Sequence, residues 1–219
     1  MESFIDNIFL EKIGIEIGGP SGGTFKRIYN ICGKLDGINH ENTIWQGKVK
    51  KGDYIKGGKQ YIGDGLDLPK ECLLKEYDFV LASHVLEHIA NPLKALFHWK
   101  KIIKTGGYIY LILPKKELCF DHKRPITQME VLIDKYKRNV GEDDLSSLDE
   151  ILKLHDLSKD KQAGNLAQFK KRSLDNFSNR CLHHHVFDLN LLEIIAIFIN
   201  MEVIFKHVNG LHQHIIYKK

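Results

Sequence analysis

Residues 77–113, YDFVLASHVLEHIANPLKALFHWKKIIKTGGYIYLIL, carry strand, helix and strand signals in immediate succession. Tyr77 to Ala82 is a continuous apolar run bounded by polar residues, the pattern of a strand buried on both faces. Asn91 is a good N-cap, and Pro92 then falls at the first helical position, where its missing N–H costs nothing. Leu93, Leu96, Phe97, Ile102 and Ile103 supply an apolar face, so a helix is expected over Pro92 to Ile103. Thr105-Gly106-Gly107 is expected to close that helix, and Tyr108 to Leu113 to form a further buried strand.

The alternation extends in both directions. Lys12 to Ile17 reads as a buried strand running into Gly18-Gly19-Pro20-Ser21-Gly22-Gly23, and Thr24 onward can open a helix. Lys34 to Asn39 is a second strand, the Gly- and Lys-rich residues 47–58 a loop, and Gln60 to Gly63 a short third strand leading to Gly63-Asp64-Gly65. Residues 114–187 break the pattern. There, Thr127 with Glu130 and Ser147 with Glu150 form expected capping boxes on either side of the acidic turn Gly141-Glu142-Asp143-Asp144, so the stretch reads as a helical cap. A helix over Leu189 to Ile199 follows, then strands over Met201 to Val208 and Leu211 to Tyr217 joined at Asn209-Gly210, a hairpin signal. The expected fold is α/β: a Rossmann-like, doubly wound, mostly parallel seven-stranded sheet with an antiparallel C-terminal hairpin strand. The helical cap is inserted after the fifth strand, within a single domain over residues 1–219.

The chain has 219 residues, of which 43% are hydrophobic, enough for one sizeable packed core. Its 32 basic and 28 acidic residues leave a net charge of +4, which permits an anionic substrate without requiring a nucleic-acid track. Phe4 to Leu10 is short and carries Asp6 and Asn7, against a signal peptide, and Leu189 to Ile199 is too short to span a bilayer. Cys32, Cys72, Cys119 and Cys181 are scattered with no close pair, so reduced thiols and a cytoplasmic location are expected.

Parallel sheets bind cofactors at the carboxyl ends of their strands. The first strand ends in Glu16-Ile17-Gly18-Gly19, where glycines let the backbone approach a ligand and a carboxylate suits a cationic or hydroxyl-rich one. Gly18, Gly19, Gly22 and Gly23 do not give the G-x-G-x-x-G spacing of dinucleotide sites, and no phosphate-binding G-x-x-x-x-G-K-[ST] loop is present.

Taken in order, Ile15 to Gly19, Gly63-Asp64-Gly65-Leu66-Asp67-Leu68-Pro69, Tyr77 to His88 and Leu96 to Pro114 resemble class I S-adenosylmethionine-dependent methyltransferases of the type 11-like group. The resemblance implies S-adenosyl-L-methionine as cofactor. It places Glu16 and Gly18 near the methionine moiety, Asp64 near the adenine, and Ser83 and His84 beside the sulfonium, with Gly19 and Gly65 also among the cofactor-binding residues. Asn39, with Asp36 three residues earlier, falls where an acidic residue usually holds the ribose, and Pro20 falls where the third glycine of the turn usually lies.

Twelve histidines cluster with acidic neighbours, and three readings stay open. Glu87 and His88 can be structural. Alternatively, a histidine can act as base for methylation of a hydroxyl: His84, His122 beside Asp121, His155 beside Asp156, or one of His183, His184 and His185. Or Glu87 and His88, with a further His, can hold a divalent metal. The His84-x-x-Glu87-His88 spacing resembles E-x-x-E-H of enzymes that methylate small-RNA 3′ ends, with His84 in place of the first Glu.

The cap segments Phe120 to Thr127, Gly141 to Asp144, His155-Asp156-Leu157 and Asn179 to Phe187 resemble a subgroup associated with surface-polysaccharide and glycosylation pathways. The resemblance implies that the cap shapes the acceptor pocket. Arg124, Arg172, Arg180 and His155 are then candidates for gripping an anionic acceptor, or they pair with the cap's own acids. The expected function is O-methylation of a sugar, nucleotide-sugar or other polar anionic intermediate, with a small-molecule or glycan acceptor in place of a nucleic acid or membrane partner. Metal-assisted methylation of an RNA 3′-terminal diol is one alternative. A non-catalytic cofactor-binding subunit of another transferase is the other.

Overall fold

The computed structural model describes residues 2–43, 47–48 and 50–219. Eight strands make the central sheet, in the order β5 (Gly52–Asp53), β6 (Lys59–Ile62), β2 (Lys34–Asn39), β1 (Ile13–Ile17), β7 (Tyr77–Ser83), β8 (Ile103–Pro114), β10 (His212–Lys218) and β9 (Glu202–Asn209). Neighbours from β6 to β8 run parallel; β5 and the β9–β10 hairpin are antiparallel. The doubly wound architecture is as expected. The sheet carries one strand more than seven because β5 forms inside the stretch read as loop, and residue 49 of that stretch lies outside the described residues. β3 (Asn42–Thr43) and β4 (Gly47–Lys48) form a separate two-stranded ribbon.

Alternation along β7 shows why the sheet must be covered on both sides. Phe79 and Leu81 join α1 (Glu2–Phe9) and α2 (Lys26–Ile31) in one core through Phe9, Phe25 and Ile28. Val80 and Ala82 face the larger core with α3 (Lys70–Leu73), α4 (Pro92–Ile102) and α9 (Leu189–Phe198), including Trp99 and Ile195. The α4 start is as read: Asn91 accepts from the N–H of Lys94 and Pro92 occupies the first turn.

Other local signals resolve differently. Gly106 and Gly107 do not close α4. The helix stops at Ile102, β8 begins at once, and Tyr77 pairs with Ile103 while Phe79 pairs with Tyr108, so residues 104–107 form a bulge. Gly106 has φ +77°, and a Cβ on Gly107 would stand 2.8 Å from the Asp78 carbonyl, so both serve the bulge. The expected capping boxes are not made. Thr127 Oγ1 accepts from Val186 N, which draws it away from α5 (Met129–Lys137), and Ser147 makes no cap bond to α6 (Leu148–Leu154). The box lies instead at Asn165 and Gln168, opening α7 (Leu166–Leu174).

Between β8 and α9 the regular elements of the described chain are all helical, the last being α8 (Asn176–Asn179). Ile151, Ala163, Phe169 and Leu182 give this region a small core of its own. No helix among the described residues is long and apolar enough to cross a membrane.

Candidate active site

The carboxyl ends of β1, β2, β6 and β7 open onto a cavity lined by Gly18, Asn39, Asp64, Gly65, His84 and Arg180 among others. Register explains the convergence: Ile17 pairs with Ile38 on one side and Ala82 on the other, so the three strands end level. Gly18 takes φ +77°, and an added Cβ would collide with Val85, so a bare backbone faces the cavity here.

Glu16 lies beneath this turn. It is fully buried and accepts hydrogen bonds from the Ser21 N–H and the hydroxyls of Tyr29 and Tyr54. Burial pushes its carboxyl up, with these bonds opposing. A Cβ on Gly19 would collide with that carboxylate, so Gly19 permits the packing of Glu16 under the turn. Asn39 donates from Nδ2 to the Gly19 carbonyl and accepts from the His40 N–H, so it also braces the turn. Asp36 is buried deeper, held by Lys75 and Tyr77. At the opposite end Asp64 accepts from Leu66 N and takes a two-pronged contact from Arg180 Nε and Nη2, at 3.0 and 2.8 Å. Arg180 thus ties the cap to the rim of the cavity, which it lines.

A second cavity shares Gly18, His84 and His88 with the first and is completed by Ser83, Phe120, Lys159, His183 and His212 among others. His84 marks the junction. It has φ +54°, unusual for a residue with a side chain, and its Nε2 lies 2.9 Å from His212 Nδ1. Glu87 lies next to it, 1% exposed; neither oxygen has a hydrogen-bond partner among the described residues, and His84 Nδ1 stands 3.6 Å from Oε1. Burial pushes this carboxyl up to about 7 and the His88 imidazole well down.

The cap exchanges the histidine–acid pairs that adjacency in sequence suggested. Asp121 meets His183 at 2.5 Å, His122 meets Asp156 at 2.7 Å, and His155 meets Asp160 at 3.2 Å. Neither cavity is lined by His122, His155, His184 or His185. His184 lies 3.0 Å from Asn176 Nδ2 and His185 lies 3.1 Å from the Ala90 carbonyl, both buried, while His155 is sandwiched by Phe120 and Phe169. Arg124 is 2% exposed and its guanidinium is spent on Asp121, Glu150 and the carbonyls of His183 and His184. Arg172 pairs with Asp160.

Glu142, in sequence only part of an acidic turn, has a place at the site. Glu142 lines the first cavity and accepts from the Ala90 N–H, and its Oε2 has no hydrogen-bond partner among the described residues. His183 is one of three consecutive histidines. No local signal separates His183 from its neighbours, because the contact with Asp121 spans 62 residues.

In sequence, residues 9–162 match the family described as a methyltransferase domain. No curated protein matches the chain. Among solved structures, it is similar to a SAM-dependent methyltransferase from Aquifex aeolicus, with TM-score 0.53, 12% identity, and 99% of this chain and 88% of that one covered. A SAM-dependent methyltransferase from Methanosarcina mazei aligns with TM-score 0.52 at 14% identity, covering 99% and 96%. An O-methyltransferase family protein from Burkholderia thailandensis aligns with TM-score 0.51 at 10% identity, covering 100% and 55%. At such identities the likeness is one of fold.

Proposed function

Because this chain belongs to the methyltransferase-domain family, with S-adenosylmethionine as its cofactor, we propose that it methylates a hydroxyl oxygen of a sugar, nucleotide-sugar or other polar anionic acceptor. The observation that carries this reading is the imidazole-rich second cavity meeting the strand-end cavity at Gly18, His84 and His88. The first cavity fits the cofactor: Gly18 offers bare backbone at a strand end, and Glu142 keeps a buried carboxylate oxygen without a hydrogen-bond partner among the described residues. When bound there, the cofactor supplies an electrophilic methyl group on a sulfonium.

Methyl transfer to oxygen is an in-line displacement. The carbon–sulfur bond breaks as the carbon–oxygen bond forms, sulfur keeps the electron pair, and the hydroxyl proton must leave. His84, at the junction and held by His212, stands where a proton acceptor is needed, while the cavity walls supply alignment. Phe120, Lys159 and His183 bring residues 114–187 into the wall of the second cavity, which supports their reading as a substrate cap. The cap segments resembling the surface-polysaccharide subgroup support a sugar as the bearer of the hydroxyl. An RNA 3′-terminal diol, methylated with metal assistance, is the second reading, favoured by the convergence of Glu87, His88 and His183.

Labelled-methyl transfer should be measured across sugars, nucleotide-sugars and a short RNA with a free 3′ diol. The proposal expects methyl ether formation on a sugar class and a fall in kcat of about a hundredfold in His84→Asn, the low end of what a general base contributes. Transfer only to an amine or thiol acceptor would overturn it; transfer to the RNA alone would select the second reading.

A further inference from the structure

Glu87 and His88 sit on the turn that follows β7, and His183 reaches them from the extended segment after α8. We propose that Glu87, His88 and His183 form a binding site for one first-row divalent transition-metal ion, of the Mn²⁺ or Zn²⁺ class, at the seam of the two cavities. One ligand atom from each residue lies within 4.8 Å of the others, a spacing that side-chain rotation would close onto one ion at about 2.0–2.2 Å from each.

Three further features favour an ion over packing alone. Both Glu87 oxygens and His88 Nδ1 are buried without hydrogen-bond partners among the described residues, and such groups in a folded chain call for a counterpart. His183 is already oriented: its Nδ1 is bound to Asp121, itself fixed by Arg124, which leaves Nε2 for another partner. A carboxylate behind the second nitrogen is the usual support of a metal-bound imidazole. Finally, two imidazoles with one carboxylate suit transition metals better than Mg²⁺ or Ca²⁺, which take all-oxygen sets, and three protein ligands leave positions open.

His88 and His183 line the second cavity, so those open positions face the space assigned to the acceptor. There an ion would hold an acceptor hydroxyl, or two neighbouring oxygens, and make the hydroxyl more acidic. The displacement keeps its balance, with the released proton passing to His84 or to water. Ion binding is independent of the acceptor; only this use of the ion rests on the hydroxyl reading above.

The test uses the full chain, stripped with chelator and titrated with Mn²⁺ and with Zn²⁺ by calorimetry, beside S-adenosylhomocysteine titrations of the metal-free protein. The expected result is one ion per chain, with binding weakened at least tenfold in Glu87→Gln and in His183→Gln while S-adenosylhomocysteine still binds. Should those variants misfold, pulsed electron paramagnetic resonance of Mn²⁺ on the unaltered chain reports directly whether two imidazole nitrogens couple to the ion. Absence of a stoichiometric site for either ion, absence of nitrogen coupling, or unaltered affinity in Glu87→Gln would overturn the proposal. Cofactor binding in the metal-free chain separates that failure from failure of the methyltransferase reading.

Discussion

At Gly18 the lack of a side chain leaves room at the rim of the strand-end cavity proposed for the cofactor. The residue holds φ +77° and a methyl group there would run into Val85 Cγ2, so Gly18→Ala must move the turn or the residue after His84. Affinity for S-adenosylhomocysteine, measured by calorimetry, is expected to fall at least about tenfold, the equivalent of about 1.4 kcal/mol. Gly23→Ala is the control, since nothing lies within 4 Å of its added Cβ; equal losses in both would contradict the argument. Of the residues assigned to the cofactor, Gly18, Asn39, Asp64, Gly65 and His84 line the first cavity, Ser83 lines the second, and Glu16 lies beneath the turn. Their positions were legible because strand ends are local events. The histidines were not legible in this way: Asp121 is followed by His122, yet turns to His183.

At the scale of elements, α4 is anchored at both levels that sequence and packing can reach. Asn91 caps the helix through Oδ1 and, fully buried, donates from Nδ2 toward the carbonyls of Lys135 and Val140 around the end of α5. Asn91→Ala removes the cap and strands buried carbonyls. A loss of about 2 kcal/mol is expected, seen as a fall in Tm of roughly 4–8 °C in thermal unfolding. Asn91→Asp, which keeps the cap acceptor and loses the donors, should fall between the two; a value matching Ala would leave the cap with no share. The cap half of this role was visible in Asn-Pro. The other half, like the bulge made by Gly106 and Gly107, depends on which strand or helix lies alongside.

On the scale of the whole molecule, the cap is divided: α5 joins the sheet's core through Leu132, while α6, α7 and Leu182 keep a small core of their own, laced by ion pairs. Asp160 joins His155 at 3.2 Å and Arg172 at 2.9 Å, beside the cluster of Ile151, Phe169 and Leu182. Burial alone would raise the Asp160 carboxyl, but the bonds from His155 and Arg172 outweigh it and hold it at about 2. An unfolded Asp titrates near 3.9, so the stabilisation is complete above about pH 4 and is lost as pH falls through about 2. Amide hydrogen exchange between pH 2 and 4 should therefore accelerate in α6 and α7 before β1, β7 and β8. Simultaneous loss of protection in cap and sheet would refute that order.

By itself the sequence determined the doubly wound sheet, the glycine turn at its centre, the capped α4 and the C-terminal hairpin. Each depends on residues within a few positions of one another: two-residue alternation, an N-cap, a φ that only glycine adopts cheaply. Tertiary structure alone decided which histidine meets which acid, that Arg124 is buried while Arg180 clasps Asp64, and that Glu87, His88 and His183 converge. Those contacts join segments 59 to 116 residues apart in several cases, and their geometry follows from how the cap folds back over the strand ends. Side chains that adjoin in the chain leave the backbone in different directions. Long-range packing therefore selects their partners.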